Sequence, residues 1–232
     1  MTRNEMLAEA QPVPTLPQTY LYLALYAFAL VGLELVLLAV EPVLGLPKES
    51  FLAQVVHWAL TIVVWVGGAV GLIVGALRRT DFTLRGVAKQ RMNAVRSFTV
   101  AALIVATVVV QWGLEGGVLA PFAEHAALTA RFEEAGTAAW LVQVVYYVAE
   151  LVVIVLIIGF GQLAGERWFR PIWMPWGGIA LAATWGLVHF LTQDAATGIY
   201  GIVLSLVMGA IHILTRKNLL ITYPVLLVVF IL

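Results

Sequence analysis

The sequence contains a series of long apolar runs, and this feature most constrains what the chain can fold into. A helix needs about 20 apolar residues to cross a bilayer. The runs cover residues 20–40, 52–77, 97–119, 138–160, 177–191, 197–214 and 219–232. Their number and length predict an all-α integral membrane protein with about seven transmembrane helices. The last run is short, because its fourteen residues rise only about 21 Å against an apolar core of about 30 Å.

The composition indicates that lipid is the main solvent of this chain. Of its 232 residues, 62% are hydrophobic and 11% are charged, and the mean hydropathy is +0.98. A soluble domain of this size does not need so much apolar surface. We therefore expect a multi-pass protein of the cell membrane, with the lipid bilayer as its first partner.

The apolar runs follow one another without a linker long enough to separate domains. We therefore predict a single helical membrane domain over residues 1–232. Residues 1–18 are polar and contain prolines, and the first apolar run is long enough to stay in the membrane. For these reasons we expect no cleaved signal peptide.

Charge and cysteine content exclude several classes of function. Thirteen basic and thirteen acidic residues leave no net charge, and no arginine-rich face is present, so we expect no nucleic-acid partner. Cysteine is absent, which excludes disulfides, thiolate metal sites and a cysteine nucleophile. The sequence leads us to assign no cofactor and no metal.

Basic residues near the ends of the runs predict the orientation in the membrane. With the N-terminus inside, the inner segments hold Arg3, Arg78, Arg79, Arg85, Lys89, Arg91, Arg96, Arg167, Arg170, Arg216 and Lys217. The outer segments hold Lys48 and Arg131. This asymmetry predicts a cytoplasmic N-terminus.

The second run contains a series of glycines, namely Gly67, Gly68, Gly71 and Gly75. Small residues at this spacing usually mark a close contact between membrane helices. The series therefore predicts that this helix packs closely against a neighbour.

Two titratable residues, Glu150 and His189, fall near the middle of predicted helices. Glu150 lies about 18 Å from the start of the fourth run, and His189 lies at a similar distance from the opposite face in the fifth. A charge at this depth is costly unless it is paired or used. The two residues form either a general base with a neighbouring proton donor or a polar contact that holds two helices together.

Glu166 and Arg170 are four residues apart in the polar segment GERWFR. On a helix this spacing predicts an ion pair. The nearby tryptophans Trp168, Trp173 and Trp176 are typical of a membrane interface. The pair is therefore either a salt bridge at the inner interface or part of a site.

Three further polar residues, Glu34, His57 and Glu115, lie toward the outer ends of the first three runs. Such residues either line a cation site or bond to headgroups or a neighbouring helix, and we expect the second. Because His57 and His189 both lie toward the outer half, a bis-histidine haem site is an alternative.

The stretch PWGGIALAATWGLVHFLTQ resembles the second motif of the CPBP (CAAX protease and bacteriocin-processing) intramembrane proteases. In that family an aromatic residue precedes a histidine by four positions, as Trp185 precedes His189 here. The segment GIVLSLVMGAIHILTRKNLLITYPVLLVVF resembles the family's glycine-bearing helix, polar turn and proline-containing final helix. The resemblance covers about residues 140–232 and implies a CPBP-like core there.

The first motif of that family is a pair of glutamates followed by an arginine. One register matches Glu150 in AELVVIV to the second glutamate, and another matches Glu166 and Arg170 in GERWFR. The resemblance thus implies Glu150, His189, Glu166 and Arg170 as catalytic candidates, with glutamate and histidine activating water. The final helix lacks the family's histidine and asparagine, which stabilise the oxyanion.

These observations leave several functions open. We expect a non-proteolytic scaffold or accessory member, in which the Glu–His site is a buried polar contact. The main alternative is an intramembrane glutamic-type peptidase that acts on a membrane protein or prenylated peptide. A proton-coupled transporter and a haem-binding membrane protein are further alternatives.

Overall fold

The computed structural model describes residues 15–45, 50–86 and 92–232, without the side chains of Pro42 and Leu44. Within these ranges the chain is helical and contains no β-strand. The α-helices are α1 (Pro17–Val40), α2 (Phe51–Arg79), α3 (Ala94–Leu114), α4 (Ala120–Phe132), α5 (Gly136–Phe169), α6 (Trp176–Leu181), α7 (Leu187–Thr192), α8 (Ala195–Leu214) and α9 (Leu219–Ile231). The predicted all-α class is confirmed.

Five helical segments of the described ranges are long and apolar enough to cross a membrane. They are α1, α2, α3, the segment Ala120–Phe169, which contains α4 and α5, and α8. Two shorter apolar segments are Trp176–Thr192, which joins α6 to α7, and α9. Five such helices agree with a multi-pass membrane protein.

Helix α5 lies at the centre of the bundle. Most of its residues between Ala149 and Gly165 are buried, and α1, α2, α6 and α9 pack around it. A helix that is apolar on all sides is typical of a buried position. The helix continues to Phe169, well beyond the end predicted at residue 160, because GERWF remains helical.

Helices α1 and α5 run antiparallel, as contacts at both of their ends show. Tyr20 stacks on Phe160 with ring centroids 6.4 Å apart. Toward the other end, the Tyr146 hydroxyl donates to Glu34 at 2.7 Å. We call the end of the bundle where α1 begins the Asp81 end, and the end where α1 finishes the Glu34 end.

Basic side chains are concentrated at the Asp81 end. The described basic residues there are Arg78, Arg79, Arg85, Arg96, Arg167, Arg170, Arg216 and Lys217. Arg131 lies at the Glu34 end, where it donates to Gln54 at 3.3 Å. Four residues that entered the orientation argument, Arg3, Lys48, Lys89 and Arg91, lie outside the described ranges.

Glycines set the distance between α6 and its neighbours α5 and α8. A Cβ added to Gly161 would lie 2.6 Å from the Cβ of Ala180, and one added to Gly178 would lie 2.8 Å from the Ser205 carbonyl oxygen. Small residues let two helix backbones approach this closely. In the glycine series of α2, a Cβ added to Gly68 would overlap the Leu30 side chain of α1, so the predicted close packing is found there. A Cβ added to Gly67, Gly71 or Gly75 would meet nothing within 4 Å, and the prediction is wrong at these three positions.

A single π-helical turn, Ala182–Gly186, separates α6 from α7. Such a turn contains one more residue than an α-helical turn and changes the direction of the side chains that follow. Trp185 lies in this turn and is buried against α5, since its indole N–H donates to Glu150 at 2.9 Å. The turn thereby sets the direction in which the predicted histidine motif points.

The close approach of α6 and α8 predicts that Gly178→Ala destabilises the protein. The added methyl would meet the backbone of Ser205 at 2.8 Å and of Gly209 at 3.0 Å, which no change of rotamer relieves. We expect a loss of about 1–3 kcal/mol, seen as a lower midpoint of thermal unfolding in detergent. Gly71→Ala is the matched control, and it should leave the midpoint unchanged or raise it. Equal midpoints for the two variants would contradict the described packing.

Candidate functional site

A cavity of about 510 Å³ lies at the Glu34 end of the bundle. Its polar and charged lining residues are Glu34, Gln143, Tyr146, Tyr147, Glu150, His189, Thr192 and Gln193. Its aromatic lining also includes Phe28, Trp58, Trp185 and Phe230. The structure therefore brings two of the four predicted site residues, Glu150 and His189, to the same cavity.

Trp185 links Glu150 to His189. Its indole N–H donates to the Glu150 carboxylate at 2.9 Å, and its backbone carbonyl accepts from His189 Nδ1 at 2.7 Å. The rings of Trp185 and His189 lie 4.2 Å apart between centroids. The two predicted residues are thus joined through a third, and the described structure contains no direct hydrogen bond between them.

The bond to Trp185 decides which nitrogen of His189 carries a proton. A carbonyl oxygen only accepts hydrogen bonds, so Nδ1 must be the donor. In the neutral ring, Nε2 then keeps its lone pair. No described residue bonds to Nε2, and His189 lines the cavity. This nitrogen can therefore accept a proton or a hydrogen bond from a molecule in the cavity.

A second polar cluster adjoins the cavity at the buried His57. Its Nε2 lies 3.2 Å from Glu34 and its Nδ1 lies 2.7 Å from Glu41. A neutral imidazole has only one N–H, so the doubly protonated ring is the form that satisfies both carboxylates. As expected, Glu34 and His57 bond to neighbouring elements. The described residues contain no group of three His, Asp or Glu that could hold a metal ion.

The geometry of His57 contradicts the bis-histidine haem alternative. A haem ligand needs one imidazole nitrogen free to bind iron. Both nitrogens of His57 instead face carboxylate oxygens, those of Glu34 and Glu41. His57 and His189 therefore do not form a pair of free imidazoles.

Glu166 lies near the opposite end of α5, about 24 Å further along the helix than Glu150. Its carboxylate lies 2.5 Å from Lys217 Nζ and accepts from Gln162 at 2.6 Å. The predicted ion pair with Arg170 is not formed among the described residues, because α5 ends at Phe169 and Arg170 has a φ of +66°. Glu166 and Arg170 are therefore separated from the cavity that contains Glu150 and His189.

The sequence reasoning missed several polar residues of the cavity. Tyr146, Tyr147 and Glu150 lie three, four and seven positions after Gln143, which places the four residues on one face of α5. Gln143 donates to the Tyr147 hydroxyl at 3.0 Å, and Tyr147 donates to Glu124 at 2.7 Å. The helical spacing of these polar residues around Glu150 could have predicted from the sequence that they share its surroundings.

A further cluster, also missed, ties α1 and α5 together at the Asp81 end. Arg167 lies 2.5 Å from Asp81, and the Tyr20 hydroxyl donates to Asp81 at 2.8 Å. The Arg167 guanidinium lies over the Tyr20 ring, 4.5 Å from its centroid, and donates to the carbonyl of Thr15. Partial burial raises the pKa of Asp81, but its hydrogen bonds with Arg167, Thr15 and Tyr20 outweigh this and hold the pKa well below its ordinary value.

Comparison with known proteins gives no match for this chain, whether with family models, curated sequences or solved structures.

Removing the indole N–H of Trp185 should destabilise the protein through Glu150. Trp185→Phe keeps an aromatic ring and the carbonyl that His189 uses, but leaves a buried carboxylate oxygen without its donor. We expect a loss of about 1–3 kcal/mol, measured by thermal or denaturant unfolding. The loss should be smaller in a Glu150→Ala background, because the partner is already absent. Trp173→Phe, at a residue that is 71% exposed, is the control; equal losses in both backgrounds would show that the hydrogen bond contributes nothing.

The Asp81 cluster predicts a specific dependence of stability on pH. The folded-state pKa of Asp81 is depressed, so its carboxylate stabilises the folded state above the unfolded pKa of about 3.9. This contribution is lost as the pH falls below that value toward the folded pKa. The difference in unfolding free energy between wild type and Asp81→Asn should therefore be constant from about pH 8 to about pH 5 and shrink below about pH 4. Glu134→Gln, at an exposed carboxylate, should show no such change, and a constant Asp81→Asn difference down to about pH 3 would contradict the ion pair.

Proposed function

We propose that this chain is a non-proteolytic, CPBP-like membrane protein of scaffold or accessory type. Glu150, Trp185 and His189 form a polar contact that holds α5 to the α6–α7 segment. The observation that supports this best is the double use of Trp185, whose indole bonds to Glu150 at 2.9 Å while its carbonyl bonds to His189 at 2.7 Å. Two of the four catalytic candidates, Glu150 and His189, are thereby bonded to one residue that lies between them.

The hydrogen-bond donors around Glu150 support a non-proteolytic site. Peptide hydrolysis depends on donors preorganised toward the developing oxyanion. Tyr146 already donates to Glu34, Tyr147 to Glu124 and Trp185 to Glu150. Because these donors are used within the protein, the wall of the cavity is poorly suited to stabilise an oxyanion.

We further propose seven membrane crossings, with a cytoplasmic N-terminus, in the cell membrane. Two observations support this topology. The apolar segments Trp176–Thr192 and Leu219–Ile231 lie within the same bundle as the five longer ones, and they share its core. The concentration of basic residues at the Asp81 end agrees with a cytoplasmic position for that end. The shared core also supports a single domain. As its partner we propose a membrane protein or peptide within the bilayer.

An intramembrane peptidase is the second candidate, and one observation favours it. Glu150 and His189 line the same cavity, and Nε2 of His189 keeps a lone pair there. Water held between the carboxylate and this nitrogen would have two acceptors for its protons. On this alternative Glu150 is the general base and His189 positions the attacking water.

Stability and cleavage measurements on Glu150 variants separate the two candidates. Glu150→Gln keeps an oxygen that accepts from Trp185, so its unfolding midpoint should remain close to that of wild type. Glu150→Ala removes the acceptor and should lose about 1–3 kcal/mol, whereas Glu115→Ala, at an exposed position, should lose little.

Purified wild-type protein should not cleave membrane-embedded or prenylated peptides, as followed by mass spectrometry. Cleavage by wild type that Glu150→Gln abolishes would replace the scaffold proposal with the peptidase. An unchanged midpoint for Glu150→Ala would remove the structural role of Glu150.

A further inference from the structure

We infer that the cavity at the Glu34 end binds a primary ammonium group carried by an apolar molecule. The first observation is the charge of its lining. Two carboxylates, Glu34 and Glu150, line the cavity, and within the described part of the chain no lysine or arginine does. An anion placed here would face two carboxylates with no lysine or arginine of the described residues in the lining, whereas an ammonium group would be attracted by both.

Three hydrogen-bond acceptors on residues that line the cavity have no described partner. The Oε1 atom of Gln143 is buried and has no hydrogen-bond partner. The second carboxylate oxygen of the nearly buried Glu150 and Nε2 of His189 have none among the described residues. A buried acceptor without a donor costs about 1–3 kcal/mol. A primary ammonium group offers three N–H donors and would satisfy acceptors of this kind.

Most donors of the lining are not available to a ligand. The hydroxyls of Tyr146 and Tyr147 and the indole of Trp185 donate to protein carboxylates. The indole of Trp58 and the exposed amide of Gln193 remain as donors without a described partner. The cavity thus offers mainly acceptors, which favours a ligand rich in N–H groups over a carboxylate or a phosphate.

The environment of Glu34 leaves negative charge for a ligand to neutralise. Glu34 and Glu41 share one imidazole, that of His57. Even when this ring is doubly protonated, the three groups together keep one negative charge. Glu150 lies one turn from Tyr146, which donates to Glu34 at 2.7 Å, so the two carboxylates flank the same part of α5.

Aromatic rings supply the remaining part of the site. Trp58 and Tyr146 lie 6.2 Å apart between ring centroids, and Trp185 and Phe230 lie 6.1 Å apart; all four line the cavity. Aromatic faces attract ammonium groups, most strongly where water is excluded. A volume of about 510 Å³ accommodates an apolar body next to the charged group.

Binding of phenethylamine to the full chain in detergent tests this inference. Quenching of tryptophan fluorescence or isothermal titration calorimetry gives the affinity. We expect phenethyl alcohol, its neutral counterpart, to bind at least about tenfold more weakly, and the trimethylammonium derivative to bind more weakly because it has no N–H donor. Equal affinity for the amine and the alcohol would overturn the inference.

Substitutions inside and outside the lining test whether phenethylamine binds in this cavity. Glu150→Gln removes the charge but keeps an acceptor for Trp185, and it should weaken phenethylamine binding by about tenfold or more. Glu115→Gln, at an exposed carboxylate outside the lining, should leave the affinity unchanged. An unchanged affinity for Glu150→Gln, with its unfolding midpoint also unchanged, would show that the amine binds elsewhere and would overturn the inference.

Competition with lipids identifies the natural source of the ammonium group. Phosphatidylethanolamine carries a primary ammonium group, whereas phosphatidylcholine carries a trimethylated one. If nanodiscs containing phosphatidylethanolamine suppress phenethylamine binding relative to phosphatidylcholine, the ligand is a lipid headgroup. Equal binding in both lipids supports a free amine. The inference stands apart from the scaffold proposal, because binding is measured by affinity and the helix contact by unfolding.

Discussion

The Glu150 carboxylate is about nine-tenths buried within a helix enclosed by other helices, so its partner has to come from the protein itself. That partner is the indole of Trp185, and it brings the α6–α7 segment against α5. One turn earlier on α5, the Tyr146 hydroxyl also finds its partner within the protein: it donates to Glu34 and thereby joins α5 to α1. These two contacts join α1, α5 and the α6–α7 segment beside the cavity, which all four bonded residues line.

Sequence reasoning located the site by depth but not its internal geometry. Equal depth on consecutive helices predicted that Glu150 and His189 contact each other; both line one cavity, but they are joined through Trp185 and not directly. Depth does not determine which way a side chain points around the helix axis, and the π-helical turn at Ala182–Gly186 changes that direction. For this reason Trp185, which the sequence treats only as a motif residue, lies between the two.

Spacing rules failed where they required information about neighbours. An ion pair between residues four apart, such as Glu166 and Arg170, requires both to be helical, but α5 ends between them. The Glu166 carboxylate instead pairs with Lys217, which is distant in the sequence. Glycine spacing does not show which glycines lie against another helix. A Cβ added to Gly178 of α6 would meet the backbone of α8, whereas one added to Gly71 of α2 would meet nothing within 4 Å. Contacts between residues far apart in the sequence decide such cases, and a single sequence does not contain them.

Because of the π-helical turn, the geometry of the site depends on the number of residues in Ala182–Gly186 and not only on which side chains are present. One residue corresponds to a rotation of about 100° around a helix. Shortening Ala182–Gly186 by a single residue would restore an ordinary helical turn while rotating everything beyond it by that amount. His189 would then leave the cavity although every polar residue of the site was still present. A related chain could therefore retain all of these side chains and still lack the site, which makes the length of this turn as informative as the motif it carries.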